Sequence, residues 1–152
     1  MQPHFKHGGR IGKAADRNVS RSLHALATQR QAQQTSILLD SGIADMFPDS
    51  GYPVAERADL ASRCDLAIVV GGDGTLLNAA RSLAEHGIAV LGVNLGRLGF
   101  RVDVSPEDRS WQLDLILGGE FIEDERTLRH ATATRNGDFL SNSAALNDVI
   151  VH

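Results

Sequence analysis

Gly71-Gly72-Asp73-Gly74-Thr75 stands between an unbroken aliphatic run, Leu66 to Val70, and a helical-looking stretch that begins at Leu76. Glycines at the end of a strand let backbone N–H groups approach phosphates closely. A carboxylate in their midst would repel a phosphate, so anion binding alone does not account for Asp73. It is accounted for if the ligand carries a hydroxyl beside its phosphates. A carboxylate there accepts the hydroxyl proton or orients the oxygen for attack, and it helps to hold a magnesium ion. Those are the parts needed for phosphoryl transfer. The plainer alternative is turn chemistry, with Asp73 capping the helix that follows.

Two common phosphate-binding patterns can be tested against this chain. The P-loop, G-x-x-x-x-G-K-[ST], would have to use Gly12-Lys13, but His7 stands at its first glycine and Ala14 at its hydroxyl. The dinucleotide fingerprint G-x-G-x-x-G, started at Gly72, ends on Leu77. Neither consensus is met, and the glycine turn has to be read from its surroundings.

Those surroundings read as a βαβ unit. "DLAIVV", Asp65 to Val70, lacks polar alternation and fits a strand buried on both faces. A helix over Thr75–His86 follows, with Leu76, Leu77, Ala80, Leu83 and Ala84 as its apolar stripe and Gly87 at its C-cap. "IAVLGVN", Ile88 to Asn94, supplies the next strand, reached by a right-handed crossover. Upstream, Val19, Leu23, Leu26 and Ala27 mark one helix face, with Asn18 or Ser20 as cap. "TSILLD", Thr35 to Asp40, reads as a strand, "MFPDSGYP" as a loop, and Leu60, Ala61 and Cys64 as a brief helix. Downstream, Ser105 and Pro106 open a helix packed through Trp111, Leu113, Leu115, Ile116 and Leu117.

After Glu120 the texture changes. "RTLRHATATRNGDFLS" alternates and contains Asn136-Gly137, a strong hairpin signal, and "ALNDVIVH" again looks like a strand. The expected fold class is α/β: a Rossmann-like open parallel sheet with flanking helices over 1–120, then the start of a second, all-β domain over 121–152. A hairpin and one strand cannot bury a sheet face unaided. The chain also stops inside a strand-like segment at His152, so a truncated protein is expected.

The remaining residues exclude more than they suggest. A net charge of −4 with scattered basic residues leaves no nucleic-acid footprint. The N-terminus has no secretory apolar core, and aliphatic runs of about five residues fall far short of the roughly 20 that span a bilayer. A single cysteine, Cys64, fits a reducing, cytoplasmic setting and reads as a packed thiol. His4 and His7 have no cysteine partner and are placed in a poorly patterned terminus; His86 belongs to a helix end, and no metal site of the protein's own is expected.

Three ordered stretches resemble the bacterial NAD kinase family: "GGDGT" (Gly71 to Thr75), "VLGVNLGRLGF" (Val90 to Phe100) and "ALNDVIVH" (Ala145 to His152). The first is also similar to the signature of a wider superfamily with lipid kinases and, more distantly, phosphofructokinases. The resemblance implies an ATP- and magnesium-dependent enzyme that phosphorylates the 2′-hydroxyl of the adenosine ribose of NAD to give NADP. It implies Asp73 as the catalytic carboxylate, Gly71, Gly72, Gly74 and Thr75 around the phosphates, and Asn147 and Asp148 on the bound dinucleotide. Phe100 lines the adenine pocket or serves as a core aromatic, and Asn78 either reaches the ligand or is merely solvated. The implied partners are NAD and ATP, with neither nucleic acid nor membrane, and a homo-oligomer in the full-length protein.

Two departures stand out. The family's first strand is ordinarily a clear apolar run, whereas "KHGGRIGKAAD" offers little beyond Ile11, and no clear first strand can be read there. The family's downstream glycine- and threonine-rich motif is absent, so this chain alone is expected to be inactive or nearly so. The alternatives are a lipid kinase of the same superfamily and a non-catalytic dinucleotide-binding fragment.

Overall fold

The computed structural model describes residues 4–32, 36–94, 109–123 and 125–145. They divide into two units, with the boundary between Phe121 and Ile122.

The first unit is built on five parallel strands: β1 (His7–Gly12), β2 (Ser36–Asp40), β3 (Val54–Ala55), β4 (Leu66–Gly71) and β5 (Ala89–Asn94). Their order across the sheet is β3-β2-β1-β4-β5. Four helices flank it: α1 (Arg17–Ala32), α2 (Arg57–Arg63), α3 (Asp73–Leu83) and α4 (Arg109–Leu117). β4 shows why the sheet needs helices on both sides. Leu66, Ile68 and Val70 join one apolar cluster with Val19, Leu23 and Leu26 of α1 and Leu113 and Leu117 of α4. Ala67 and Val69 join a second cluster with Leu60 of α2 and Leu76, Ala79 and Leu83 of α3. A strand with aliphatic side chains on both faces must be covered twice, as the unbroken run predicted.

The main correction concerns β1, which no apolar run announces. It forms, and it is the central strand, paired in parallel with β2 through Gly8↔Ile37 and with β4 through Ile11↔Val69. Arg10 and Ile11 are fully buried in it, but two of its remaining positions are glycine because a helix approaches too closely there for a side chain. A Cβ on Gly9 would lie 2.6 Å from Leu60 Cδ2 of α2, and one on Gly12 would lie 2.7 Å from Val19 Cγ1 of α1. The strand's entry is tied down by Asp65, whose carboxylate accepts from Lys6 N at 2.8 Å and His7 N at 3.1 Å. His7 therefore lies in the sheet rather than in an unpatterned terminus.

Smaller corrections follow from capping and helical phase. Asp16, not Asn18 or Ser20, caps α1, accepting from Asn18 N at 2.9 Å and Val19 N at 3.2 Å. α3 begins at Asp73 rather than Thr75, and a 3-10 turn over Ala84–His86 ends it, with Gly87 in the left-handed conformation at φ 64°. The buried stripe of α3 is Leu76, Ala79 and Leu83; Leu77 and Ala80 are only half-buried. In α4, Leu115 remains 38% exposed instead of packing. Another 3-10 turn, Ser41–Met46, is capped by Asp40, which accepts from Gly42 N at 3.3 Å. The expected Ser105 cap and Pro106 lie outside the described residues.

The second unit is a two-stranded antiparallel hairpin, β6 (Arg129–Arg135) and β7 (Asp138–Ala145). Asn136 and Gly137 form its turn at φ 52° and 84°, the pair of positive angles that Asn-Gly supplies readily. A register shift at Ala133/Thr134 bulges β7. Of the strand expected over Ala145 to His152, Ala145 is the last residue of β7 and the rest lies outside the described residues.

Candidate active site

The strand order reverses direction between β1 and β4: the chain winds from β1 through β2 to β3 on one side and from β4 to β5 on the other. Loops leaving the C-terminal ends of two such strands diverge and leave a crevice, where open α/β sheets take their ligands. A cleft of about 520 Å³ opens there. The end of β1 contributes Ile11, Gly12 and Lys13, and α2 contributes Arg57. Gly72, Gly74, Thr75 and Asn78 come from the glycine turn and α3. Its volume is in the range of small-molecule sites.

The three glycines of the turn have different reasons to be glycine. At Gly71 the fold demands it, since a Cβ would fall 2.8 Å from Thr75 Oγ1 and 2.9 Å from Thr75 Cβ. At Gly72 and Gly74 a Cβ would meet nothing within 4 Å, and both residues are exposed. Among the described residues nothing excludes a side chain there, so these leave the space in front of the two backbones open to a ligand. Gly72 is the N-cap of α3, and Leu76 N donates to Gly72 O at 3.1 Å as the first intrahelical bond. The amides of Gly74 and Thr75 precede that bond, in the first turn, where the helical pattern itself supplies no acceptor. They stand at the positive end of an eleven-residue helix beside the cleft, an arrangement suited to phosphate.

Asp73 occupies the first helical position, half-buried, and its Oδ1 is shielded from solvent. The N-cap falls to Gly72, not to Asp73 as the turn-chemistry reading had it. Asp73 and Gly71 are not themselves among the cleft-lining residues, whereas Gly72, Gly74, Thr75 and Asn78 are. Phe100, Asn147 and Asp148 lie outside the described residues.

Two cations line the cleft that the sequence did not single out. Arg57 is gripped in a fork: Nε donates to Asp40 Oδ1 at 3.0 Å and Nη2 to Asp40 Oδ2 at 3.2 Å, while Nη1 donates to Ser82 Oγ at 3.0 Å. Asp40 is buried at the end of β2, and bidentate pairing of this kind fixes a guanidinium in place. No motif joins residues 17 apart, so the pair was silent in the sequence. Lys13 had a signal, the Gly12-Lys13 pair, but it was measured against P-loop spacing and set aside.

Cys64 follows α2 and is half-buried. Burial, and then the neighbouring Asp65 carboxylate, push its thiol above the usual range, which makes it a poor nucleophile. Among the described residues no three His, Cys, Asp or Glu side chains are grouped to hold a metal ion. No helix among them is long and apolar enough to cross a membrane.

Comparison with known proteins agrees with this geometry. The NAD kinase of Teredinibacter turnerae is 43% identical over 144 residues, 95% of this chain and 49% of its own length. That of Nitrosococcus oceani is 43% identical over 152 residues, 100% of this chain and 52% of its own. The chain thus spans about half the length of the curated relatives it matches. Among solved structures, yeast NADH kinase complexed with NADH superposes with a TM-score of 0.77 over 93% of this chain and 47% of that one, at 17% identity, a likeness of fold. Residues 17–121 match the family model described as the ATP-NAD kinase N-terminal domain, and with more than half of its length inside that match the chain belongs to this family.

Proposed function

We propose that the chain supplies the N-terminal half of a cytoplasmic NAD kinase, which transfers the γ-phosphoryl of ATP to the 2′-hydroxyl of the adenosine ribose of NAD. The observation that carries this reading is the switch-point cleft, where the exposed backbones of Gly72 and Gly74 meet the start of α3, with Asp73 between them in sequence. Phosphoryl transfer asks chiefly for positioning and charge stabilisation, and amides fixed at a helix start provide both. Asp73 acts on the acceptor hydroxyl, as base or as orienter, while Gly71, Gly72, Gly74 and Thr75 surround phosphates. Asn147 and Asp148 bind the dinucleotide, and Phe100 lines its adenine pocket. The unit from Ile122 onward opens the β-rich part of the enzyme, where subunits of a homo-oligomer meet.

The divalent cation that such a reaction uses would come with the donor. Magnesium is ordinarily held by substrate phosphates and one or two carboxylates, and Asp73, between the cleft-lining Gly72 and Gly74, is a carboxylate that could serve in that way. Bound there, it would neutralise charge on the donor's phosphates.

The test is NADP formation from NAD, ATP and magnesium by the full-length kinase that contains this chain, with and without Asp73→Asn. Loss of a catalytic base or orienter should lower turnover by about 10²- to 10⁴-fold. Full turnover by the Asn variant would remove the carboxylate's role, and no NADP from the unaltered enzyme would leave only a dinucleotide-binding fragment. The 152-residue chain by itself is expected to turn over little or not at all.

A further inference from the structure

We propose that Lys13 and Arg57 form the second wall of a polyphosphate site, facing ligand phosphates from outside the glycine turn, with Asp40 as the residue that positions Arg57. The proposal rests on the reading of this cleft as the phosphoryl-transfer site and names the side chains that would carry its positive charge.

The observations come from three segments. Lys13 and Arg57 line the same cleft as Gly72, Gly74 and Thr75, although the two belong to the β1 exit and the start of α2. Among the described residues Lys13 makes no ion pair, and it is exposed, so its charge is available to a ligand. Arg57 differs: its contacts with Asp40 and Ser82 occupy three of the five N–H donors of a guanidinium. Two donors remain, on a group that cannot lose its proton and is already oriented. Little rotamer freedom is left to lose on binding, which favours affinity. A fixed planar donor and a mobile ammonium are complementary ways of meeting phosphate oxygens, and helix amides complete the enclosure.

Asp40 halves the net charge of this wall, so its presence needs a reason. It is 5% exposed, caps the Ser41–Met46 turn through Gly42 N, and grips Arg57 with both oxygens. Those contacts make it an anchor for the guanidinium, not a ligand for the substrate. Two substrates could present the shared chemistry, the triphosphate of ATP and the pyrophosphate of NAD, and kinetics can separate them.

The first experiment titrates inorganic tripolyphosphate into the 152-residue protein by calorimetry, which requires no turnover. Lys13→Gln and Arg57→Gln should each weaken binding about tenfold or more, equivalent to about 1.4 kcal/mol. Arg57→Lys should recover little, because an ammonium cannot reproduce the fork on Asp40. Affinity within twofold of the parent for both Gln variants overturns the proposal. If Arg57→Gln does not fold, for it leaves Asp40 buried without its cation, Lys13→Gln at its exposed position decides alone.

The second experiment measures KM and kcat of the full-length kinase. A KM raised about tenfold for ATP places the donor's triphosphate on this wall, and one raised for NAD places the acceptor's pyrophosphate there. Both KM values unchanged would refute it. Asp40→Asn should raise the same KM by less, with kcat nearly intact; a purely structural role would lower kcat through lost protein and leave KM alone. NADP formation by the parent tests the kinase reading separately, so either idea can fail without the other.

Discussion

Gly74→Ala should make the protein more stable and worse at binding. The residue lies in the first turn of α3, has no positive φ, and an added Cβ would touch nothing within 4 Å. Replacing an unconstrained helical glycine by alanine gains about 0.5–1 kcal/mol. For a chain of this size that is a rise in Tm of about 1–4 °C. The methyl group nevertheless occupies the space that opens onto the cleft, and a phosphate seated on these amides has to retreat by most of a van der Waals diameter. A loss of at least tenfold in affinity for ATP or NAD, about 1.4 kcal/mol, is expected by titration calorimetry. Gly71→Ala should move stability in the opposite direction. Its Cβ would lie 2.8 Å from Thr75 Oγ1 and 2.9 Å from Thr75 Cβ, so overpacking should cost about 1–3 kcal/mol and about 2–12 °C. If Gly74→Ala gains stability and still binds both nucleotides as tightly as the parent, the open glycine backbone is not a ligand surface.

Other consequences can be checked on the same protein. Leu60→Ala should cost about 2–5 kcal/mol and Gly9→Ala about 1–3 in denaturant unfolding, but the double variant should cost at least about 1 kcal/mol less than their sum, because the new methyl enters the space Leu60 Cδ2 vacates 2.6 Å away. Strict additivity would mean that β1 and α2 are not in contact as described. Cys64 should react slowly with iodoacetamide at pH 7, and its rate should keep climbing beyond the region near pH 8.5 where a solvated thiol titrates, since a raised pKa leaves less thiolate at each lower pH. Levelling at or below that region would contradict the burial assigned to it. Gly137→Ala, at φ 84°, should weaken the β6–β7 hairpin by about 1–2 kcal/mol, visible as faster amide exchange along that ladder alone.

The sequence was most legible where one physical demand acted on a local stretch. The two-sided burial of β4, the Gly87 cap and the Asn136-Gly137 turn each follow from a few adjacent residues, and each was readable. β1 was not, because its glycines answer to Leu60 and Val19, which arrive from elsewhere in the chain. With glycines at the close approaches and a buried arginine, Arg10, between them, the strand has no apolar pattern to detect. The α3 stripe was right at Leu76 and Leu83 but missed Ala79, while Leu77 and Ala80 are only half-buried and Ala84 is exposed; composition cannot tell these apart. In the site, the turn announced itself through glycine density. Arg57 did not, since its meaning lies in a carboxylate at the end of another strand.

The thinness of β1 has a mechanical corollary. At Gly9 and Gly12 the helix layers rest almost directly on the sheet's backbone, one on each side. Any bulk added there would act as a wedge, prising α2 or α1 outward. α2 begins at Arg57 and α1 follows the loop that holds Lys13, so the displacement would be delivered to the rim of the cleft. Calliper-like, the central strand sets the aperture of a pocket that it touches only at its final residues, Ile11 and Gly12.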